Sequence, residues 1–215
     1  MADTLGDVDV AHPLWRPYEP PTDEEIARAR VTPVPPAPVE VVAPDPGWPE
    51  DFERVRARIL DALGARALSV EHVGSTAVPG LWAKPVIDVD VTVADSGDEA
   101  SYLPDLEAAG LELRVREPEW EEHRCLRGED PAANVHVWST GCIEAGRHLA
   151  FRDWLRENED DRAAYAALKR DLAKQGFTDV MDYNIAKGGL IYDIYERILA
   201  GDPAHPHTPR PRVPR

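Results

Sequence analysis

Two short apolar runs, joined by a Gly-Ser turn and a loop containing Pro and Gly, constrain the fold of this chain more than any other feature. They lie in VEHVGSTAVPGLWAKPVIDVDVTV, residues 70–93. Ala67–Val73 and Pro85–Val93 are predicted to be strands. The second strand nevertheless contains Asp88 and Asp90. Because an unpaired carboxylate taken out of water costs on the order of several kcal/mol or loses its charge, two acids here indicate a function that needs negative charge.

Strand alternation places these two acids on one face. If Ile87 and Val89 face the core, Asp88 and Asp90 share the opposite face, and both carboxylates point into the same space. Like charges this close raise one another's pKa unless a cation lies between them. Mg²⁺ meets this need, since it binds one or two carboxylates together with substrate phosphates. The alternative interpretation is an ordinary solvated face near a sheet edge.

The turn before the acidic strand is a candidate phosphate site. Gly74 lets the backbone approach a ligand closely, while the Ser75 hydroxyl and the successive amide groups of Ser75 and Thr76 can surround a phosphate. Because the turn follows one strand directly and precedes the Asp-x-Asp strand, it favours the functional interpretation of the acids over the solvated face.

The rest of the chain shows apolar periodicities of both helices and strands. The predicted elements are a strand at 39–42, a helix from Trp48 to near Gly64, a helix at 103–109, strands at 111–116, 123–126 and 134–139, and helices over 147–199 with breaks near Asn158 and at 176–178. Strands in the first half and helices in the second favour an α+β domain, with a mixed β-sheet, packed helices and a helical C-terminal part.

Both ends of the chain differ in composition from this central domain, residues 39–200. Residues 1–38 are crowded with prolines and are predicted to form an extended arm. A capping box at Thr22–Glu25 begins one short helix within it. Residues 201–215 are rich in Pro and Arg, and we expect them to be disordered or loosely draped.

The bulk properties exclude several classes of protein. The 215 residues include 40 acidic and 24 basic side chains, a net charge of −16, which repels long nucleic acid and anionic membranes. Two cysteines, Cys125 and Cys142, imply no disulfide framework. No apolar run approaches the roughly 18 residues that span a bilayer, and the N-terminus lacks a signal-peptide pattern. A cytoplasmic protein that does not contact membranes is expected.

The GrpB family of nucleotidyltransferase-like proteins is the family that this chain resembles. The resemblance rests on six segments in order: VEVVAPDPGWPEDFE, VEHVGSTAVPGLWAKPVIDVDV, HVW, RHLAFRDWLREN, YAALKRDLA and YNIAKGGLI. It covers roughly residues 39–199 and is most specific in EHVGSTAVPGL-x-AKPVID. It implies a nucleotidyltransferase fold, in which acids such as Asp88 and Asp90 hold metal and a turn such as Gly74-Ser75 holds the phosphates of the nucleotide. It supplies no substrate, because the family has no settled reaction.

One departure from the superfamily pattern concerns the third acid. Active members usually carry it on a later strand, as a metal ligand or a general base. The corresponding segment here, Asn134–Trp138, offers His136 instead. A neutral imidazole can take either role; the alternative is a histidine that is hydrogen-bonded within the sheet.

Two residues beside the turn are further candidates for the site. His72 ends the strand that precedes the phosphate turn, and Lys84 opens the acidic strand, from which it could reach a phosphate. Zinc is not favoured, because His123, Cys125, His136 and Cys142 lack the paired short loops of structural zinc sites.

The C-terminal helices contribute the remaining candidates. His148 and Arg152 lie four residues apart on one helical face, where Arg152 could bind a triphosphate or form ion pairs with acids such as Asp153. Tyr183 and Lys187 also share a face. The resemblance implies that they belong to the helices that cover the nucleotide.

Two functions are compatible with these patterns. In the first, a Mg²⁺-dependent enzyme moves a nucleotidyl group from a nucleoside triphosphate to a small acceptor; Asp88 and Asp90 hold the metal, and His136 takes the acceptor's proton. In the second, a catalytically degenerate module binds a nucleotide or metabolite, or a partner protein through the N-terminal arm. GrpB-like domains fused to dephospho-CoA kinase fit such an accessory role. The missing third carboxylate favours the second function, and the intact turn and acidic pair favour the first.

Overall fold

The structure, a computed structural model, describes residues 11–33 and 36–212 of the chain. Parts of the predicted arm and tail, residues 1–10, 34–35 and 213–215, lie outside the described residues. The helices are α1 (Asp23–Ala29), α2 (Trp48–Leu63), α3 (Leu103–Ala108), α4 (Ile143–Glu157), α5 (Glu159–Ala173) and α6 (Val180–Ala200). The strands are β1 (Ser69–Val73), β2 (Ile87–Val93), β3 (Leu111–Glu117), β4 (His123–Gly128) and β5 (Ala133–Ser139).

The strands form one mixed sheet in the order β1-β2-β5-β4-β3. The acidic strand β2 is central: it pairs antiparallel with β1 and parallel with β5. The hairpin strands β3 and β4 extend the sheet in antiparallel fashion. The predicted α+β class, with a mixed sheet and a helical C-terminal part, is confirmed.

Helices cover both faces of this sheet. On one face, Val55 and Ile59 of α2 pack with Val89 and Val91 of β2 in the main core. On the other face, α4, α5 and α6 pack around a second cluster that includes Leu81. The acids of β2 therefore project from the sheet toward the C-terminal helices.

The predicted strand at 39–42 is wrong. Val42 forms an isolated bridge with Ala83, while the amide of Val39 donates to the carbonyl of Phe177. The segment runs from one element to another, so its backbone pairs with two different partners and no ladder forms.

The described part of the arm wraps around the domain. Its capping box at Thr22 and Glu25 is present and begins α1. Arg30 then forms a bridge with Val115 of the edge strand β3, and the arm therefore covers an edge that would otherwise expose unpaired backbone groups.

The described tail is also held in place, which differs from the loosely draped segment that its composition suggested. His207 lies 2.9 Å from Glu196 of α6, and Arg212 pairs with Asp193 at 2.9 Å. The contacts are mainly between charged and polar groups, so the tail lacks the apolar pattern by which packed segments are recognised in a sequence.

No helix within the described ranges is long and apolar enough to cross a membrane.

Candidate functional site

The register of the sheet places both acids on the face toward the C-terminal helices. Asp88 pairs with Asn134 of β5, and Asp90 pairs with His136. Because paired residues of adjacent strands project to the same side, these four side chains share one surface. Strand alternation had predicted this arrangement for Asp88, Asp90 and His136.

Asp88 faces a polar cleft with about 30% of its side chain exposed. The amide of Asn134 donates to its Oδ1 at 2.9 Å, and Nε2 of His136 lies 4.0 Å from the same oxygen. Burial acts to raise the pKa of Asp88, but His136, Lys84 and Asn134 outweigh it and lower the pKa to about 2. Part of the positive charge that the acidic pair was expected to need is therefore supplied by the protein's own side chains.

Asp90 is enclosed, in contrast to Asp88. Its side chain is only 4% exposed. The indole of Trp138 donates to Oδ1 at 3.0 Å, and Nδ1 of His148 lies 3.1 Å from Oδ1 and 3.0 Å from Oδ2. His148, which was one of the candidates named from the sequence, thus reaches the site from α4.

The Gly-Ser turn lies directly against Asp88. Gly74 has φ +67°, and a Cβ at this position would lie 2.9 Å from the Cβ of Asp88 and closer still to its Oδ2. Only glycine therefore allows the carboxylate and the turn to meet. Ser75–Ala77 continue as a single 3₁₀ turn, and the leading amides of such a turn have no carbonyl partner within it.

Lysines converge on this turn from three different elements. The chain has four lysines against 20 arginines. Nζ of Lys169 on α5 lies 2.9 Å from Oγ of Ser75. Nζ of Lys84 and Nζ of Lys187 lie 5.8 and 4.6 Å from the ring centre of Tyr183, and all three lysines interact electrostatically with Asp88. Lys174, the fourth, is exposed on the surface.

Burial weakens the affinity of these lysines for their protons. It lowers the pKa of Lys169 to about 6, and repulsion by Lys187 adds to the effect. Burial likewise lowers the pKa of Lys84 and of Lys187 to about 8 each. A nearby negative charge favours the protonated form of a lysine. An anion that binds beside these lysines would therefore stabilise the cluster.

Tyr183 lies beneath this cluster. Its side chain is 1% exposed, and its hydroxyl has no hydrogen-bond partner among the described residues. A buried polar group without a partner is costly, and a ligand oxygen in the cleft would satisfy it. Sequence reasoning had named Tyr183 and Lys187 but had missed Lys169.

His136 is the last member of a hydrogen-bonded row of three side chains. Its Nδ1 is 3.0 Å from Nε2 of His123 on β4, and Nδ1 of His123 is 2.7 Å from Glu117 of β3. Burial acts to lower the pKa of His136, but Cys125, Asp88 and Asp90 outweigh it and hold the pKa well above its ordinary value. Neither Glu117 nor His123 was predicted for this role, because strand pairing and not chain spacing brings them to His136.

Three predicted residues lie outside the cleft or are engaged elsewhere. His72 pairs with Val89, so it faces the α2 side of the sheet, where its ring stacks on Phe52 at 4.6 Å. Thr76 is buried, and its hydroxyl lies 3.0 Å from Nε2 of His72. This contact joins the turn to strand β1. Arg152 forms ion pairs with Asp153 and Glu71, which is the alternative that the sequence left open.

The donor set suits Mg²⁺ and does not suit zinc. Asp88 offers hard carboxylate oxygens beside a phosphate-type turn, and its Oδ2 lies against Gly74 of that turn. Asp90 lies on the same face, but Trp138 and His148 contact its oxygens, so it could hold a cation only if His148 moved. Mg²⁺ binds such carboxylates together with phosphates. Among the described residues, His123, Cys125, His136 and Cys142 do not converge as a set of metal ligands.

Comparisons with known proteins bear on the family and the fold of this chain. A profile of the family described as GrpB protein matches residues 38–197. A UPF0157 protein of Halalkalibacterium halodurans is 48% identical over 183 residues, which cover 84% of this chain and 94% of that protein. The crystal structure of the conserved protein GrpB from Enterococcus faecalis superposes with a TM-score of 0.64 at 32% identity, covering 74% of this chain and 96% of that one. A dephospho-CoA kinase of Mycolicibacterium paratuberculosis is 34% identical over 188 residues, or 75% of this chain and 46% of the kinase.

Proposed function

The chain belongs to the GrpB family, and on this premise we propose that it is a Mg²⁺-dependent nucleotidyltransferase. It would move a nucleotidyl group from a nucleoside triphosphate to a small acceptor. A small acceptor fits better than a long nucleic acid, because a net charge of −16 opposes binding to a polyanion at long range. The proposal includes a cytoplasmic location, where nucleoside triphosphates are available.

One observation carries the proposal: three of the chain's four lysines meet beside Ser75 and Asp88. Burying ammonium groups together is unfavourable unless an anion compensates them. Asp88 supplies one negative charge, and a triphosphate supplies several more. Lysine is well suited to this role as a compact point charge for phosphate.

The chemical roles follow from the positions of the side chains. An acceptor oxygen attacks the α-phosphorus, the bond from this phosphorus to the bridging oxygen of the β-phosphate breaks, and pyrophosphate leaves. At pH values above the raised pKa of His136, the proton of the acceptor hydroxyl passes to Nε2 of His136, the ring nitrogen that faces Asp88. Lys169 and the Ser75 turn hold the departing phosphates. Asp88 and, once His148 has moved, Asp90 would hold Mg²⁺, which would supply the charge neutralisation that phosphoryl chemistry requires.

A second candidate function has support from Asp90. Its carboxylate is enclosed by Trp138 and His148, so a cation could bind it only if His148 moved away. This favours a module that binds a nucleotide or phosphorylated metabolite without turnover. The match to part of a dephospho-CoA kinase fits a domain that works beside a nucleotide-using enzyme, and a protein partner that binds the N-terminal arm stays a prediction.

Release of pyrophosphate separates the two functions. The full chain is incubated with each of the four nucleoside triphosphates, Mg²⁺ and a panel of small hydroxyl and amine acceptors. The enzyme function predicts release by the wild type. His136→Ala should reduce this release by about 100-fold or more, while His136→Asp, which restores the usual acid of the superfamily, should retain it. Nucleotide binding without any release in the wild type would favour the module.

A further inference from the structure

A row of three side chains crosses the hairpin strands and ends in the candidate site. Glu117 Oε2 lies 2.7 Å from Nδ1 of His123, whose Nε2 lies 3.0 Å from Nδ1 of His136. The side chain of His123 is only 5% exposed, and that of Glu117 is 31% exposed. The row thus runs from a partly exposed carboxylate to Asp88, 4.0 Å beyond Nε2 of His136.

Packing fixes the middle member of the row. The ring of His123 stacks on Trp138 with centres 4.2 Å apart and is nearly parallel to the ring of His136. Trp120 meets it edge-on at 5.2 Å. A ring held between two aromatic neighbours cannot turn freely, so its two nitrogens keep their separate partners.

Hydrogen-bond chemistry then assigns the protons. Burial raises the pKa of Glu117; once it is ionised, its carboxylate only accepts, so Nδ1 of His123 carries the proton that the two share. Burial keeps His123 neutral by lowering its pKa well below the ordinary value, which leaves Nε2 of His123 as an acceptor. Nδ1 of His136 must therefore be the donor between the two rings, and Nε2 of His136 is the nitrogen left to gain or lose a proton.

We propose that Glu117 and His123 are positioning residues that fix the tautomer of His136 and direct its exchangeable nitrogen, Nε2, toward Asp88 and the substrate. Partners of this kind set which nitrogen of a functional histidine is available. The use of Nε2 in catalysis rests on the proposed nucleotidyl transfer. The assignment of the tautomer rests on the hydrogen bonds and on the neutral form of His123 that burial favours, and not on turnover.

Nitrogen NMR of the full chain labelled with ¹⁵N-histidine tests the assignment directly. In the wild type, neutral His136 should carry its proton on Nδ1, and Nε2 should give the resonance of an unprotonated ring nitrogen. Glu117→Gln keeps an oxygen acceptor and should give the same pattern. A wild-type spectrum in which neutral His136 carries its proton on Nε2 would overturn the proposal.

Two variants break the row at different points. His123→Phe keeps a stacked ring but removes the acceptor, and Glu117→Leu removes the carboxylate; each should move neutral His136 toward the Nε2–H form. Glu119→Leu is the control, since Glu119 lies in the same connection but is 79% exposed and pairs only with Arg28 in the described part of the chain. An unchanged tautomer in both His123→Phe and Glu117→Leu would also overturn the proposal.

Turnover of variants that are shown to be folded gives a second readout. If pyrophosphate release is found, His123→Phe should lower kcat about 10- to 100-fold with little change in KM, and Glu117→Gln should retain kcat. An equal effect of Glu117→Gln and Glu117→Leu on kcat would argue against positioning through hydrogen bonds. Absence of turnover in the wild type would remove the proposed function and leave the NMR test intact.

Discussion

Lys169 donates a hydrogen bond to the hydroxyl of Ser75 across 94 positions of sequence, with Nζ and Oγ 2.9 Å apart. The contact joins α5 to the turn after β1 and places a buried ammonium group where the phosphates of a nucleotide are proposed to bind. Since Lys84 and Lys187 lie nearby and repel it, this arrangement is unfavourable without a ligand. The site therefore has a cost in stability that can be measured.

Replacing Lys169 by methionine should separate stability from binding. Replacing a buried amine that is unfavourable to protonate in the folded protein by an apolar side chain of similar volume stabilises a protein by about 1–4 kcal/mol, and each kcal/mol raises Tm by about 2–4 °C for a chain of this size. Lys169→Met should therefore melt at a higher temperature while binding Mg²⁺-nucleotide about 10- to 100-fold more weakly. Lys174→Met, at the exposed lysine, should change neither property; equal behaviour of the two variants would contradict the assigned role.

The stability difference between wild type and Lys169→Met should depend on pH in a definite direction. The pKa of Lys169 is about 6 in the folded protein and 10.5 in the unfolded chain. Between these values the unfolded chain binds more protons, so wild-type stability rises with pH. The advantage of the variant in Tm should thus be largest near pH 6 and narrower at pH 9. Melting curves of both proteins at several pH values measure this, and an advantage that widens toward pH 9 would exclude the assigned cause.

Asp88→Asn should destabilise the protein. The sequence alone suggested that removing one of two neighbouring acids would relieve repulsion. Asp88, however, faces His136, Lys84 and Asn134, and these neighbours lower its pKa to about 2. Loss of its charge leaves the cationic cluster uncompensated, at a cost of about 1–3 kcal/mol, and should abolish Mg²⁺-dependent nucleotide binding. Chemical denaturation at pH 7 measures the cost, with Asp171→Asn at an exposed ion pair as the control; a stabilised Asp88→Asn would show that repulsion dominates.

Two glycines with similar positive φ angles provide a paired test of the turn. Gly74 (φ +67°) lies against Asp88, whereas Gly80 (φ +77°) has no atom within 4 Å of a Cβ built on it. Gly80→Ala should lose about 1–2 kcal/mol from the left-handed backbone alone. Gly74→Ala should lose about 1–3 kcal/mol more from the collision, and it alone should weaken nucleotide binding. If both variants lose the same free energy of unfolding and both still bind nucleotide, the close approach of the turn to Asp88 has no role in binding.

Much of the fold is readable in the sequence because its signals are local. Alternation in β2 fixes the faces of Asp88 and Asp90, and helical periodicity that ends at Gly64 delimits α2. The tail was expected to be disordered or loosely draped, because a segment rich in prolines and charges has no apolar pattern. Its partners on α6 cannot be inferred from composition.

The site was only partly predictable, for a different physical reason. The Gly-Ser turn and the acids are adjacent in sequence and act as one signal. Asn134, His123 and Glu117 reach Asp88 and His136 only through the register of β3, β4 and β5, which depends on tertiary pairing. Lys169 did leave a signal, because a lysine is unusual in a chain whose basic residues are nearly all arginine.

Calorimetric titration of the wild type with each of the four nucleoside triphosphates in the presence of Mg²⁺ tests the central claim most directly. At least one triphosphate should bind, inorganic tripolyphosphate should compete with it, and the corresponding monophosphate should bind far more weakly, because the lysine cluster recognises the phosphate chain. Binding should weaken about 10- to 100-fold in Lys169→Met and stay unchanged in Lys174→Met. If no triphosphate or tripolyphosphate binds the wild type, or if Lys169→Met binds as tightly as the wild type, the cleft beside Asp88 is not a nucleotide site.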